Sequence, residues 1–132
     1  MIFADTSFWV ALLNRRDERH LAATELWARH GDAGVVTSNQ VRGETWTVLR
    51  RRAGHRLAVA FLDALDAAGR VEVVAVEPEL ERRALHWLRR HDEREYSFVD
   101  ATSFVLMRTR EIHHALAFDG DFSATGFVEL RT

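Results

Sequence analysis

Cysteine is absent from this chain and so is lysine, all 18 basic residues being arginine. The first absence excludes a disulfide framework, a thiolate metal site and a cysteine nucleophile. The second excludes a Schiff-base lysine and any phosphate grip built on lysine. Proline occurs once and the seven glycines are scattered, which argues against linkers and low-complexity tails. No apolar run approaches the ~18 residues of a membrane span, and Met1-Ile2-Phe3-Ala4-Asp5 lacks the basic start and apolar stretch of a signal peptide. A soluble, cytoplasmic protein without membrane contact is expected. An excess of positive charge is missing too. The formal net charge is -2, so any nucleic-acid site must be a local patch.

What is present is enough apolar material, 47% of 132 residues, for one domain spanning 1–132. Ile2-Phe3-Ala4 reads as a short strand, followed by the capping residues Asp5-Thr6-Ser7 and a helix. Asp17 and Glu18 open a second helical stretch that Gly31 and Gly34 stop. Val35-Val36-Thr37 is a second strand, after which Ser38 or Asn39 caps a helix carrying Val41, Thr45, Val48 and Leu49 on one face. Gly54 breaks it, and Leu57, Ala58, Phe61, Leu62 and Leu65 mark another amphipathic helix. A strand over Val71–Val76, a helix from Glu77-Pro78 and a helix from Ser97 follow, then strands over Ala115–Phe118 and Phe127–Leu130. Helices alternating with short, unbroken apolar strands predict an α/β fold with a parallel sheet covered on both faces.

Asp5 and Asp119 each fall just after a predicted strand, at the carboxyl edge where open parallel sheets bind ligands. Read singly, the first is a helix cap and the second a turn residue. Glu44 is less ordinary, because helical spacing puts it between Val41 and Val48 on the apolar stripe. Asp100 stands three residues after Ser97, the spacing of a capping box, in the first turn of a helix that faces the same edge. Two carboxylates ~4 Å apart repel by about 4 kcal/mol at an effective dielectric near 20, so several in one cleft call for a cation. An all-oxygen set suits Mg²⁺ or Mn²⁺ better than Zn²⁺.

Taken in order, Ile2-Phe3-Ala4-Asp5-Thr6-Ser7, Glu44, Tyr96-Ser97-Phe98-Val99-Asp100-Ala101-Thr102-Ser103 and Ala117-Phe118-Asp119-Gly120-Asp121-Phe122 make the whole chain resemble the PIN-domain ribonucleases, and among them the VapC-type toxins of toxin-antitoxin pairs. The resemblance implies a three-layer α/β/α fold around a mostly parallel sheet of four to five strands. It also implies an endoribonuclease dependent on Mg²⁺ or Mn²⁺, a homodimer, and a cognate antitoxin that holds it inactive. By motif position the catalytic acids are Asp5, Glu44, Asp100 and Asp119. Phosphodiester hydrolysis needs an activated water and a counter-charge for the transition state. Asp5 and Asp100 are assigned to the main ion, Asp119 and Asp121 to a weaker position, and Glu44 to orienting the attacking water or accepting its proton. Gly120 would let the turn between the last two acids bend tightly. Thr6, Ser7 and Ser103 are supporting polar candidates.

The cluster Arg50, Arg51, Arg52 and Arg56 is the first candidate for RNA phosphates and the pair Arg89-Arg90 the second, each against the plainer reading of a solvated helix face. Helical spacing assigns most of the tryptophans to core or dimer packing rather than base stacking. His113-His114 point to opposite faces and are not read as a metal pair. Asp119-Gly120-Asp121-Phe122-Ser123 opens like a calcium loop, but Ala124 and Leu130 stand where that loop needs Gly and Glu. Receiver domains and haloacid-dehalogenase-type phosphatases share the edge acids but rely on a lysine this chain lacks. The remaining alternative is a catalytically weak PIN-fold module that binds RNA or protein.

Overall fold

The computed structural model describes all 132 residues. Its elements run β1 Ile2–Ala4, α1 Thr6–Leu13, α2 His20–His30, β2 Val35–Ser38, α3 Asn39–Ala53, α4 His55–Ala67, β3 Val71–Val74, α5 Pro78–Arg90, α6 Phe98–Thr109, β4 His114–Leu116, α7 Asp121–Ala124 and β5 Val128–Glu129. All five strands are parallel, in the order β3-β2-β1-β4-β5. The sheet therefore grows outward from β1 in both directions. Ala4 pairs with Leu116 at the point where strand order reverses, which is where a doubly wound sheet opens a crevice beyond its carboxyl ends.

Helices cover both faces in an α/β/α arrangement, α1 to α4 packing on one another and α5 on α6. The apolar strands are buried throughout β1 and β2, as a sheet covered twice requires. Aromatic residues fill both interfaces. Phe8, Trp9, Trp27 and Phe61 pack together among α1, α2 and α4, whereas Phe104, Phe122 and Phe127 join Phe3 of β1 beside α6 and α7. Trp9 also donates to Thr37 Oγ1 at 3.3 Å, and that hydroxyl donates to the Ala4 carbonyl at 2.8 Å, so the polar groups inside this layer are satisfied.

Three of the boundaries that differ from the sequence reading have a side chain taking a main-chain amide. β3 stops at Val74, and the amide of Val76 goes instead to Asn39 Oδ1 at 2.8 Å. β4 ends at Leu116, and the amide of Phe118 donates to Ser7 Oγ at 3.0 Å. Asp17 does not open α2. Its carboxylate accepts the Arg19 amide at 2.8 Å in a turn, and the helix begins at His20.

Candidate active site

Asp5 is the N-cap of α1. Its Oδ2 accepts the Ser7 hydroxyl at 3.1 Å and the Ser7 amide at 3.4 Å. Because the same hydroxyl takes the Phe118 amide, Ser7 ties the ends of the two central strands together and sets Asp5 and Asp119 on one cleft. Asp5 is 2% exposed, and its Oδ1 is buried with no hydrogen-bond partner, as is Thr6 Oγ1 beside it. A buried carboxylate oxygen without a donor is costly, so the site is built for a positive ligand.

Asp100 arrives from the opposite side. Ser97 Oγ accepts the Asp100 amide and Asp100 Oδ2 accepts the Ser97 amide, both at 2.9 Å, completing the predicted capping box. Asp100 Oδ1 makes no bond within the chain, so one carboxylate both starts the helix and serves the cleft. Glu44, half-buried on α3, lines that cleft of about 340 Å³ as well. Asp100, Asp119 and Asp121 bring one oxygen each within 4.8 Å of one another.

The electrostatics reflect this crowding. Burial, reinforced by the charges of Asp119 and Asp100, pushes the Asp5 carboxyl well above the ordinary range. Burial likewise raises Asp100 to about 6 against the pull of its Ser97 hydrogen bonds, with Asp119 and Asp121 adding to the rise. Asp119 stands at the open rim, exposed to solvent, yet its surroundings remove enough water, with Asp121 and Glu129 contributing charge, to raise it too. Three carboxyls that hold their protons too tightly are a negative centre short of counter-charge. An all-oxygen donor set of this kind fits a hard divalent cation.

Several residues that shape the site escaped the sequence reading. Arg94 Nε donates to Asp121 Oδ1 at 2.8 Å, so Asp121 is already paired with a fixed cation. Glu129, on the buried side of β5, accepts the amides of Gly120 at 3.3 Å and Ser123 at 3.0 Å and the guanidinium of Arg131 at 2.6 Å. That carboxylate holds the turn carrying Asp119 and Asp121, in which Gly120 has φ 81°, the left-handed region glycine adopts freely. The turn before α2 adds Asp17, Glu18 and Arg19 to the cleft wall, and Arg19 lies over the Phe118 ring at 5.4 Å. The spacing of Arg94 and Asp121 carries no local period. Glu129 left none either, since alternation along Phe127-Val128-Glu129-Leu130 favours Val128 and Leu130 as the inner side, whereas Phe127 and Glu129 are buried and Val128 is 51% exposed.

The remaining candidates divide. Arg52 lines the cleft, and Arg56 lines an adjoining groove with Arg15 and Arg16. Arg50 and Arg51 are exposed and line neither. Thr6 and Ser7 line the cleft, but Ser103 turns its hydroxyl back onto the Val99 carbonyl at 3.0 Å within α6.

The PIN domain family matches residues 2–128. The 23S rRNA-specific endonuclease VapC20 of Mycobacterium tuberculosis, in strains CDC 1551 / Oshkosh and ATCC 25618 / H37Rv alike, is 60% identical over 131 residues, covering 99% of this chain and 98% of the relative. The chain belongs to the PIN-domain family. A crystal structure of M. tuberculosis VapC20, described as a sarcin-ricin loop cleaving toxin, superposes with a TM-score of 0.95 at 57% identity over 100% of both chains. Within the PIN-domain family, the chain is thus an endoribonuclease of the VapC toxin type, the kind that is paired with an antitoxin.

Proposed function

We propose that this PIN domain, residues 1–132, makes a single cut in the sarcin-ricin loop of 23S ribosomal RNA with Mg²⁺ or Mn²⁺ as cofactor. The observation that carries the reading is the set of raised acids at the sheet edge, in a chain 60% identical from end to end to a nuclease named for that RNA. Asp5, Asp100 and Asp119 would hold the ion, and Asp121, shared with Arg94, would bound its second side. The ion would supply the Lewis acidity and counter-charge that phosphodiester hydrolysis needs. Glu44 orients the attacking water and accepts its proton as the water oxygen bonds to phosphorus and the bond to the departing ribose oxygen breaks. Arg19 and Arg52 offer forked donors to the phosphates that enter an otherwise acidic cleft. Ser7 and the Glu129 carboxylate keep the acids in register.

The protein's other surfaces support the partners proposed with this activity. A groove of about 340 Å³ lined only by apolar side chains, Trp9, Leu12, Leu13, Trp27, Phe61 and Leu65 among them, suits a protein partner such as the antitoxin or a second copy in a homodimer. No helix is long and apolar enough to cross a membrane, which is compatible with action in the cytoplasm. The test is incubation of ribosomes, and of a hairpin carrying the sarcin-ricin loop, with the protein in Mg²⁺ or Mn²⁺. A single cut mapped to the loop, abolished by EDTA and by Asp100→Asn, is expected. Tight binding without cleavage would favour the non-catalytic module, and cleavage elsewhere would keep the nuclease and discard the substrate.

A further inference from the structure

On the far side of α6 from the sheet centre lies a concavity of about 480 Å³ between α5 and α6, lined by Arg82, Arg83, Arg89, Arg90 and Arg108 together with His86, His91, Trp87 and Val105. No carboxylate lines it. Glu79 and Glu93 stand at its rim, pairing Arg82 at 2.7 Å and His91 at 2.7 Å. Arg83 donates to Thr109 Oγ1 and Arg108 to the Thr125 carbonyl, neutral acceptors that fix the guanidinium groups and leave their charge uncompensated. Arg89 and Arg90 bond to nothing and form no ion pair. In a chain of net charge -2 this is a local concentration of positive charge. It is also drawn from two helices into one hollow, unlike the solvated flank of a single helix.

We propose that this groove is a second RNA-backbone site, holding the duplex that flanks the loop being cut. This rests on the reading of the chain as a nuclease for folded RNA. The groove's lining is almost all donors, and forked guanidinium groups suit phosphate oxygens. Its floor is stiff, since the Trp87 and His91 rings stack at 4.0 Å and Tyr96 packs on Trp87 at 4.9 Å. Its position fits as well. His91 and Tyr96 place one end next to the start of α6, where Asp100 enters the cleft, and Arg108 marks the other end. Eight residues of helix separate Asp100 from Arg108, about 12 Å at 1.5 Å per residue. At roughly 3 Å of axial rise per base pair in an A-form RNA duplex, that is the length of about four nucleotides of one strand leaving the cleft.

The experiment compares two hairpins with the same loop, one with a long stem and one cut back to the loop-closing pairs. Binding is measured in Ca²⁺ over a salt series for wild type and Arg89→Gln/Arg90→Gln, a pair of exposed side chains whose loss disturbs no bond. The variant should bind the long hairpin about tenfold more weakly, its salt slope should fall by roughly 1.8 at ~0.9 per lost duplex phosphate, and the short hairpin should bind as before. An unchanged slope on the long hairpin, or equal losses on both hairpins, would overturn the proposal. So would intact RNA binding with lost binding to poly-glutamate, which would assign the groove to an acidic protein. Cleavage is scored separately on the long hairpin. Failure there with the wild type would count against the nuclease reading, while the binding series still decides the groove.

Discussion

Arg94 Nε lies 2.8 Å from Asp121 Oδ1, so one of the three clustered carboxylates at the sheet edge is already shared with a fixed positive charge. A divalent ion held by Asp121, as proposed, would compete with Arg94 for that oxygen. Arg94→Gln should therefore bind Mn²⁺ more tightly, by about three- to tenfold in calorimetry, a modest change because the guanidinium is 43% exposed. Weaker binding in the variant would instead show that Arg94 holds Asp121 in place for the ion.

Removing charge from the cluster should stabilise the metal-free protein. In EDTA, Asp119→Asn should melt about 3 °C higher than wild type, since an amide keeps the acceptor for the Asp121 amide while relieving repulsion. In saturating Mn²⁺ the order should reverse. A lower melting temperature in EDTA would make Asp119 a structural residue.

Stability should also depend on pH with a definite sign. Asp100 titrates at about 6 in the folded chain, above its unfolded value, so between the two the folded state binds more protons. Stability therefore falls as pH rises through that window, and the penalty, about 3 kcal/mol from Asp100, is complete above it. Asp5 and Asp119 act in the same direction. Glu72, Glu79 and Glu93, whose carboxyls are lowered by Arg110, Arg82 and His91, oppose it only at lower pH. Urea midpoints in EDTA at pH 5.5 and pH 7.5 should show wild type gaining on acidification relative to Asp100→Asn. Equal gains in both proteins would refute the assignment.

The Glu129 carboxylate predicts a split between affinity and turnover. Glu129→Gln keeps one acceptor oxygen but gives up the charge facing Arg131, so the turn that bears Asp119 loosens. Mn²⁺ affinity and kcat should fall by about tenfold with KM nearly unchanged, whereas Glu129→Ala should cost about 1–3 kcal/mol of stability by leaving the Gly120 and Ser123 amides without their acceptor. If KM rises alone, the turn contacts RNA and does not position the acids.

Within the first basic cluster only Arg52 should matter to cleft binding. Arg52→Gln should reduce the salt slope for single-stranded RNA by about 0.7, and Arg50→Gln/Arg51→Gln should leave it unchanged.

The central strands and the acids proposed for catalysis were legible because each signal was local. Ile2-Phe3-Ala4 and Ala115-Leu116-Ala117-Phe118 are apolar runs that end at an acid, and Ser97 with Asp100 is a spacing that caps a helix. Glu44 stood out as a charge on an apolar stripe. What stayed hidden depends on contacts between distant residues. Arg94 with Asp121 and Ser7 with Phe118 are 27 and 111 positions apart, and no period along the chain announces them. Nor does a run of arginines say which of its members turns inward, as Arg52 does.

β5 is two residues long and pairs only with β4, yet its Glu129 supports the turn on which Asp119 and Asp121 sit. Synthesis proceeds from the N-terminus, so this support is made after every acid it organises. A ribosome translating the chain carries the very RNA proposed as the target. Until Glu129 and Arg131 have emerged and folded back, what it carries is a nuclease whose acid turn has nothing to close on. The order of synthesis thus leaves the acid turn unsupported until β5 is in place.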